Sequence, residues 1–234
     1  MIEVHPRQFC RIQNPVMLGE DGNPLMTVFH QVRVNHGETE IRFYRDKPFP
    51  LYPGEKLLGN VQKQTIIRKD TALLVQALRD FEDSRDKKKK HRKAGEQWLV
   101  KGPKTYFESV YVNVVSTVRS KIIKPNCAMK LQAQRSLVDA NGVKRHAGEQ
   151  WLIRKEGSYL PRLFEQIVEI IKGIVITHKE ALKVRSTKSF TDIYDIDRKA
   201  GEEWLVTNNM TQIHIIDVYE ESVKKVYATT LSNR

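Results

Sequence analysis

Three glutamates recur at a constant spacing and are the most obvious candidates for acid–base chemistry. Glu96, Glu149 and Glu202 each stand two residues before a tryptophan, and all three tryptophans of the chain occupy this position. A carboxylate transfers protons when it lies within hydrogen-bond reach of a reacting group. An acid that recurs in every copy of a repeat more often makes the same hydrogen bond each time. We therefore predict a structural role for these glutamates.

The acidic loops offer little support for a metal site. An EF-hand calcium loop needs oxygen ligands at alternate positions, then a glycine, and a glutamate at its end. Counted from Asp139, the loop has Val143 in place of an oxygen ligand. It also has Lys144 in place of the glycine and Gln150 in place of the glutamate. Another loop comes closer to a cation cluster, but we predict an ordinary solvated loop there; its acids are Asp192, Asp195 and Asp197.

The cysteines and histidines form no recognisable catalytic or zinc pattern. Cys10 and Cys127 lie far apart in sequence, and neither has a partner at the spacing of zinc ligands. Cys10 could act as a nucleophile with His5 or His30, but a buried or idle thiol is far more common. The sequence contains no glycine-rich phosphate loop and no hydrolase or metalloprotease motif. We predict that the chain is not an enzyme and uses no cofactor or metal.

The recurring glutamates belong to a repeated motif with a constant period. Ala-Gly-Glu-Gln-Trp-Leu-Val at 94–100 returns with conservative changes at 147–153 and 200–206, and its tryptophans are 53 residues apart in both intervals. Such a period is typical of small structural units in tandem. A hydrophobic core is enough to explain the tryptophans. The repeated structural motif consists of Gly95, Glu96 and Trp98, of Gly148, Glu149 and Trp151, and of Gly201, Glu202 and Trp204.

Each motif is preceded by the pattern of a β-hairpin. Polar and apolar residues alternate at 130–134 and at 183–185, as in a half-buried strand. An aspartate follows in each copy, and Asp83, Asp139 and Asp192 lie 11, 8 and 8 residues before the motif alanine. The variable distance predicts a hairpin tip, since tips tolerate insertions. The second tip also contains Asn-Gly, a strong hairpin-turn signal.

A turn is predicted after the tryptophan strand in the first two copies. It covers 102–106 and 157–161, and it carries a tyrosine eight residues after the tryptophan, at Tyr106 and Tyr159. In the third copy the residue at this distance is Gln212, so we predict that the turn is lost there.

These patterns predict an all-β fold of tandem small antiparallel β-sheet domains arranged end to end. Segment 162–172 has helix formers at near-helical spacing, but its counterparts in the other copies are strand-like, and we predict a strand. Units of about 53 residues bury thin cores, so packing between neighbours should contribute much of the stability. The predicted units are repeat A (divergent), 1–64; repeat B, 65–121; repeat C, 122–174; repeat D, 175–227; and the start of a further repeat, 228–234.

The chain is strongly basic, and much of the excess charge lies in one run. Its 40 lysines and arginines against 28 acids give a net charge of +12. Such an excess attracts polyanions, but a charge run is more often a solvated loop, which we favour here. The candidates for contact with a polyanion are Lys87, Lys88, Lys89, Lys90, Arg92 and Lys93.

No membrane partner is expected. The N-terminus lacks the apolar core of a signal peptide, and no stretch approaches the roughly 20 apolar residues of a bilayer-spanning helix. The most apolar segment, 167–176, is interrupted by Glu169 and Lys172. With two isolated cysteines, these features predict a soluble cytoplasmic protein.

Several segments resemble the family of major vault proteins. The tandem Ala-Gly-Glu-[Gln/Glu]-Trp motifs and the Gly-Pro-x-x-Tyr turn are similar to the N-terminal repeats of that family, the vault repeats. The similarity runs in the same order from about Val4 to the last residue. The further segments that carry it are 6–16, 48–55, 81–83, 218–221 and 229–231.

The resemblance implies a structural protein. In that family many copies stand side by side as staves of a hollow cytoplasmic ribonucleoprotein barrel, and the repeats form its wall. The barrel encloses a vault poly(ADP-ribose) polymerase, a telomerase-associated protein and small vault RNA. The resemblance therefore implies two kinds of partner, copies of the chain itself and a vault poly(ADP-ribose) polymerase-like protein, with RNA bound weakly or indirectly. The family's shoulder domain, cap helix and cap ring have no counterpart in these residues.

Two hypotheses of different classes follow. The first is a stave of a vault-like shell, whose copies meet two neighbours through a heterologous interface. The second is an RNA-binding repeat protein that uses the basic run together with Arg119, Lys121, Lys124 and Arg145, and the net charge motivates it. Its basic residues are not interleaved with aromatic residues as stacking platforms would be. We favour the first hypothesis.

Overall fold

The computed structural model describes residues 1–83 and 89–228 of the chain. Every regular element in these two ranges is a β-strand, which confirms the predicted all-β fold. Within the same ranges no helix is long and apolar enough to cross a membrane. The chain forms two compact units, Met1–Val118 and Arg119–Arg234.

The first unit begins with a three-stranded antiparallel sheet. Its strands are β1 (Gln8–Gln13), β2 (Thr39–Phe43) and β3 (Lys56–Lys63). They lie in the order β2-β1-β3, so β1 is central. Alternate residues of β1 point to one face, and Cys10 and Ile12 are fully buried there against Val4 and Phe49. We call β1–β3 the N-terminal sheet.

Seven short strands follow and form what we call the first strand set. They are β4 (Thr65–Ile67), β5 (Thr71–Ala77), β6 (Phe81–Asp83), β7 (Lys90–Arg92), β8 (Gln97–Lys101), β9 (Lys104–Tyr106) and β10 (Val112–Arg119). They make three antiparallel sheets: β10-β5-β8, β4-β9 and the hairpin β6-β7.

The second unit repeats this arrangement twice. The second strand set is β11 (Lys121–Ile123), β12 (Cys127–Ala133), β13 (Leu137–Val138), β14 (Lys144–Arg145), β15 (Gln150–Ile153), β16 (Gly157–Tyr159) and β17 (Glu165–Lys172). The third strand set is β18 (Ile174–Val175), β19 (Glu180–Ser186), β20 (Phe190–Thr191), β21 (Asp197–Arg198), β22 (Glu203–Thr207), β23 (Ile213–His214) and β24 (Glu220–Tyr227). Their sheets are β15-β12-β17, β11-β16 and β13-β14, then β22-β19-β24, β18-β23 and β20-β21.

The segment with helical character is a strand, as predicted. β17 covers Glu165–Lys172 and pairs with the whole of β12. Pairing with a buried central strand satisfies its backbone groups, and this tertiary contact overrides the weak preference of its residues for a helix.

Each strand set has its own small core. The central strand of each three-stranded sheet buries alternate residues, among them Val75, Leu131 and Val184, which are completely buried. The motif tryptophan of each set packs against that core. Because these cores are thin, loss of one such side chain should cost roughly 2–5 kcal/mol, a large share of the stability of a small unit.

Consecutive sheets also contact each other within each unit. In the first unit the rings of Phe43 and Phe107 lie 5.6 Å apart, edge to face. In the second unit Arg154 Nη2 donates a hydrogen bond of 2.6 Å to Asp217 Oδ2. Phe107 and Asp217 each lie in the segment just before the last strand of their set, β10 and β24.

The prediction that the third copy lacks the turn was wrong about Gln212. Thr65 pairs with Tyr106 and Lys121 pairs with Tyr159, whereas the equivalent partner of Ile174 is His214. The connection after the tryptophan strand is two residues longer in the third set, so counting from the tryptophan selects the wrong residue. The predicted turns also continue as strands, since β9 and β16 include the two tyrosines.

Candidate functional site

An arginine that contacts all the recurring polar residues occupies the same place in each strand set. In the second set Arg145 Nε donates a hydrogen bond of 3.0 Å to Asp139 Oδ2, and Arg145 Nη1 donates one of 2.7 Å to Glu149 Oε1. The guanidinium carbon lies 5.2 Å from the centre of the Trp151 ring. One arginine therefore joins the hairpin tip, the motif glutamate and the motif tryptophan.

The third set repeats this geometry closely. Arg198 Nε donates a 2.9 Å hydrogen bond to Asp192 Oδ2, and Arg198 Nη1 donates a 2.8 Å bond to Glu202 Oε1. Its guanidinium carbon lies 4.3 Å from the Trp204 ring centre. We call this group of four residues the arginine clamp.

The first set contains a looser version of the arginine clamp. Arg92 Nη1 donates a 2.5 Å hydrogen bond to Glu96 Oε1, and the guanidinium carbon of Arg92 lies 4.3 Å from the Trp98 ring centre. Arg92 Nε lies 3.8 Å from Asp83 Oδ2, beyond hydrogen-bond distance. This set also has the longest hairpin tip.

The motif glycine and glutamate shape the turn before the tryptophan strand. Gly148 has φ of 82°, a conformation that costs other residues strain, and its N–H donates to the Ala133 carbonyl at 2.7 Å. Glu149 Oε2 accepts a 2.9 Å hydrogen bond from the backbone N–H of His146. The other sets repeat this with Gly95 and Gly201, and with the N–H groups of Lys93 and Lys199 bonding to Glu96 and Glu202.

The aspartate of the clamp organises the hairpin tip. Asp139 Oδ1 accepts backbone hydrogen bonds from Asn141 at 2.8 Å and from Val143 at 3.0 Å. Asp192 does the same with the N–H groups of Tyr194 and Ile196. The Asp192 side chain has no exposed surface. The prediction of a solvated acidic loop was therefore wrong for Asp192, because its carboxylate is consumed by the turn and by the arginine.

The carboxylates of the clamp are held in their charged form. The pKa of Glu149 is lowered, chiefly by the hydrogen bond from Arg145 and then by the N–H of His146. Burial alone would raise the pKa of Asp139, but the N–H of Val143 and the Arg145 guanidinium together lower it. Proton transfer near neutral pH needs a group whose pKa lies near the working pH. The clamp is arranged to fix geometry and is poorly suited to acid–base catalysis.

A second buried polar contact joins β16 to β17 in the second set and β23 to β24 in the third set. Tyr159 Oη donates a 2.6 Å hydrogen bond to Glu165 Oε2, and burial followed by this bond raises the pKa of Tyr159. In the third set His214 takes the place of the tyrosine, with Nε2 2.9 Å from Glu220 Oε2 and Nδ1 3.0 Å from Tyr194 Oη. Burial, then the charge of Glu220, raises the pKa of Tyr194 to about 12.

The basic run divides into two kinds of residue. Arg92 lies inside the clamp with a side chain that is 11% exposed, so it is not available as predicted for contact with a polyanion. Lys89, Lys90 and Lys93 are exposed. Lys87 and Lys88 lie outside the described residues.

The remaining candidates for chemistry are separate or buried. Burial raises the pKa of the Cys10 thiol, which makes it a weaker nucleophile at neutral pH. Cys127 is half-buried, and both thiols are free. In the part of the chain that the structure describes, no three His, Cys, Asp or Glu residues are grouped to hold a metal ion.

The central arginine of the clamp was not predicted from the sequence. Arg92, Arg145 and Arg198 each precede the motif glutamate by four residues, and this spacing was the available signal. It was obscured because Arg92 belongs to a basic run, while Arg145 was assigned to possible contact with nucleic acid.

Two family models match the chain. One, described as a major vault protein repeat domain, covers residues 1–61. The other has the same description and matches three times, over 65–107, 121–162 and 174–215. Each of these three matches covers most of one strand set.

Similarity to individual proteins over the whole of this chain also indicates the major vault protein family. The chain is 44% identical to a protein named major vault protein alpha from Dictyostelium discoideum, over 100% of this chain and 27% of that relative. It is 42% identical to a major vault protein from Strongylocentrotus purpuratus, over 100% of this chain and 27% of the relative. A major vault protein from Bos taurus is 40% identical over 99% of this chain and 26% of its own length. The chain thus spans about a quarter of the length of these relatives.

Proposed function

We propose that this chain is a wall segment of a vault-like shell, because it belongs to the major vault protein repeat family. In this role copies of the chain stand side by side in the cytoplasm and their repeats form the wall. We place the repeats at 1–64, 65–121, 122–174 and 175–227, with a further repeat starting at 228. The role is structural and not catalytic.

The observation that carries this proposal is the arginine clamp present in all three strand sets. Its polar atoms are used within the set: in the second set each Asp139 oxygen and each Glu149 oxygen accepts at least one hydrogen bond. A catalytic carboxylate would need an oxygen directed at a substrate. The clamp is closed in the second and third sets and looser in the first. Its recurrence at each motif supports a stiff building unit, and we assign the Gly-Glu-x-Trp motif to that structural role.

Partners of such a wall are of two kinds. Side-by-side copies need two different complementary surfaces on each chain, since a ring of identical subunits closes through heterologous contacts. The family resemblance adds a vault poly(ADP-ribose) polymerase-like protein that docks on the wall. RNA would then be held in the shell weakly or indirectly.

Sedimentation velocity over a wide concentration range tests the structural role. We expect concentration-dependent oligomers free of nucleic acid, and electron microscopy of these oligomers should show parallel rods. A chain that stays monomeric at every concentration, and that a lysine-reactive cross-linker does not join, would contradict the proposal.

Exposed lysines in the hairpin tip of the first set favour RNA binding as a second candidate. Lys89, Lys90 and Lys93 face solvent in a chain of net charge +12. If the tip holds RNA, changing these three lysines to glutamine should reduce the slope of the RNA affinity against salt concentration, on logarithmic scales. The reduction should correspond to the loss of about three phosphate contacts. The matched control changes Lys144, Lys155 and Lys172, which are exposed in the second unit. Equal RNA binding by both variants would remove this candidate.

A further inference from the structure

The hairpin tip of the second strand set contains two neighbouring residues that can react with each other. Asn141 and Gly142 lie between β13 and β14, and they form the only Asn-Gly pair in the sequence. Both residues are exposed. A Cβ placed on Gly142 would meet none of the described residues beyond its chain neighbours within 4 Å. The backbone nitrogen of Gly142 is therefore not screened by a side chain of its own, and the pair is a candidate site of chemical modification.

The reaction open to this pair is deamidation through a cyclic imide. The nitrogen of Gly142 loses its proton to a base in the solvent and attacks the side-chain amide carbon of Asn141. A bond forms between these two atoms, the bond from that carbon to the amide nitrogen breaks, and the amide group takes a proton from solvent and leaves as ammonia. Water then opens the imide at either of its carbonyl carbons. The product is an aspartate, or an isoaspartate in which the backbone continues through the side-chain carbon.

In the folded tip the attacking nitrogen is already engaged. Gly142 N–H donates a 3.1 Å hydrogen bond to the Asp139 carbonyl, so the turn holds the proton that the reaction must remove. Asp139 Oδ1 also accepts the N–H of Asn141 at 2.8 Å, and Asp139 N–H donates to the Val143 carbonyl at 2.9 Å. Ring closure needs the Gly142 nitrogen to turn toward the Asn141 side chain, which breaks its bond to Asp139. The reaction therefore requires an opened tip.

Two arginines hold Asp139 and, through it, the tip. Arg145 Nε donates a 3.0 Å hydrogen bond to Asp139 Oδ2, as part of the arginine clamp. Arg162 Nη1 donates a 3.1 Å hydrogen bond to the Asp139 carbonyl, the same oxygen that accepts the Gly142 N–H. The Asp139 side chain is 1% exposed. Charge-assisted bonds to a buried carboxylate are stronger than bonds between neutral groups, so they lower the fraction of chains whose tip is open.

The third set shows that this turn does not need an Asn-Gly pair. Its tip has the same hydrogen bond, from Asp195 N–H to the Asp192 carbonyl at 3.1 Å. The residues at the positions of Asn141 and Gly142 are Tyr194 and Asp195, and a tyrosine has no amide to lose. Asp195 has φ of 58°, so an aspartate adopts the left-handed conformation there. The second set therefore carries a reactivity that the shared turn does not require.

We propose that Asn141 is a site of spontaneous deamidation and that the arginine clamp sets its rate. The reaction is slow while the clamp is closed, and an opened tip converts as an unstructured Asn-Gly pair does. The product places a negative charge beside Asp139, and isoaspartate also lengthens the backbone of the turn. The hydrogen bonds to Asp139 do not all re-form around the longer turn, so conversion weakens the clamp of this set permanently. This inference is independent of the proposed wall function.

Peptide mapping by mass spectrometry tests the proposal on the full chain. The folded protein is kept in a mildly alkaline buffer, which favours removal of the Gly142 proton, and the mass increase from amide to acid is followed in the peptide that contains Asn141. The same chain in concentrated urea gives the unprotected rate. We expect the folded chain to convert at least about tenfold more slowly than the unfolded chain, since only the open fraction reacts.

Asn141→Tyr introduces the residue of the third set and assigns the signal. This variant should show no mass increase in the same peptide. A folded chain that converts as fast as the unfolded chain would overturn the protection, and an unfolded chain that does not convert would overturn the site.

Variants of the clamp test whether it sets the rate. Arg145→Met removes the guanidinium from Asp139 and should raise the conversion rate of the folded chain about tenfold or more, because one bond to a charged group is lost. Arg145→Lys keeps the positive charge without the two-point contact and should give an intermediate rate, which also serves if Arg145→Met does not fold. Lys144→Met, on the same strand, is the matched control and should stay within about twofold of the unchanged chain.

Ile167→Ala is the control for a general loss of stability. Ile167 lies on β17 and packs against the core of the second set, so its truncation weakens the set without removing a bond of the tip. It should change the conversion rate by less than about threefold, because opening of the tip alone exposes the reacting pair. Equal acceleration by Ile167→Ala and Arg145→Met would mean that unfolding of the whole set controls the reaction, which contradicts the role given to the clamp.

Discussion

Removal of the clamp arginine should destabilise the second strand set by a measurable and local amount. Arg145→Met keeps an apolar stem against Trp151 but removes the charge. The side chains of Asp139, Arg145 and Glu149 are 1%, 21% and 23% exposed. Breaking a fully buried pair costs roughly 3–5 kcal/mol, whereas an exposed pair contributes about 0–1 kcal/mol. Because Asp139 keeps two backbone donors, we expect a loss of about 2–3 kcal/mol.

Urea unfolding followed by tryptophan fluorescence measures this loss, since Trp151 lies against the arginine. The matched control is Lys144→Met on the same short strand, where the exposed lysine should contribute less than about 0.5 kcal/mol. Combining Arg145→Met with Asp139→Asn should cost less than the sum of the two single changes, because the buried charge left behind is removed. A loss for Arg145→Met equal to that of Lys144→Met would refute the assigned role of the clamp.

Three further predictions concern the second unit. The lowered pKa values of Asp139, Asp192 and Glu149 mean that their contribution to stability is complete above the ordinary carboxyl pKa of about 4 and is lost as the pH falls through the lowered native values. The urea concentration at which half of the protein is unfolded should therefore decrease as the pH is lowered below about 4. Arg145→Met should make this decrease smaller, and an unchanged pH profile in this variant would contradict the assignment. Gly148→Ala should lower the free energy of unfolding by about 1–2 kcal/mol, as measured by calorimetry. The loss should come from the φ of 82° alone, because a Cβ there meets no neighbour, and an unchanged stability would exclude this strain. Tyr159→Phe should cost about 1–2 kcal/mol in urea unfolding by removing the hydrogen bond to buried Glu165, and no loss would show that water replaces it.

The repeat period and the class of fold could be predicted from the sequence. The motif around Trp98, Trp151 and Trp204 recurs at a fixed spacing, and alternation of polar and apolar residues identifies the central strands. These features depend on local chemistry, because a strand with one buried face must alternate. The hairpin tip of the second set follows from the same kind of local signal, an Asn-Gly turn.

The contacts between elements could not be obtained in this way. Equivalence of His214 with Tyr106 and Tyr159 depends on strand register, which a longer connection shifts by two residues. The charge of Arg145 suggested solvent or a polyanion, but the folded hairpin directs it to Asp139. A charged side chain bonds to whichever opposite charge the chain brings near it, and sequence distance does not reveal that neighbour.

The exposure of Phe29 was likewise decided by tertiary structure. A phenylalanine in a sequence is more often expected in a core. Here the turn at Thr27 leaves Phe29 80% exposed, and the buried Glu55 accepts a hydrogen bond from the backbone N–H of Val16 between β1 and β2. Composition and periodicity identify which residues are apolar, but only the packed fold determines which of them stay exposed.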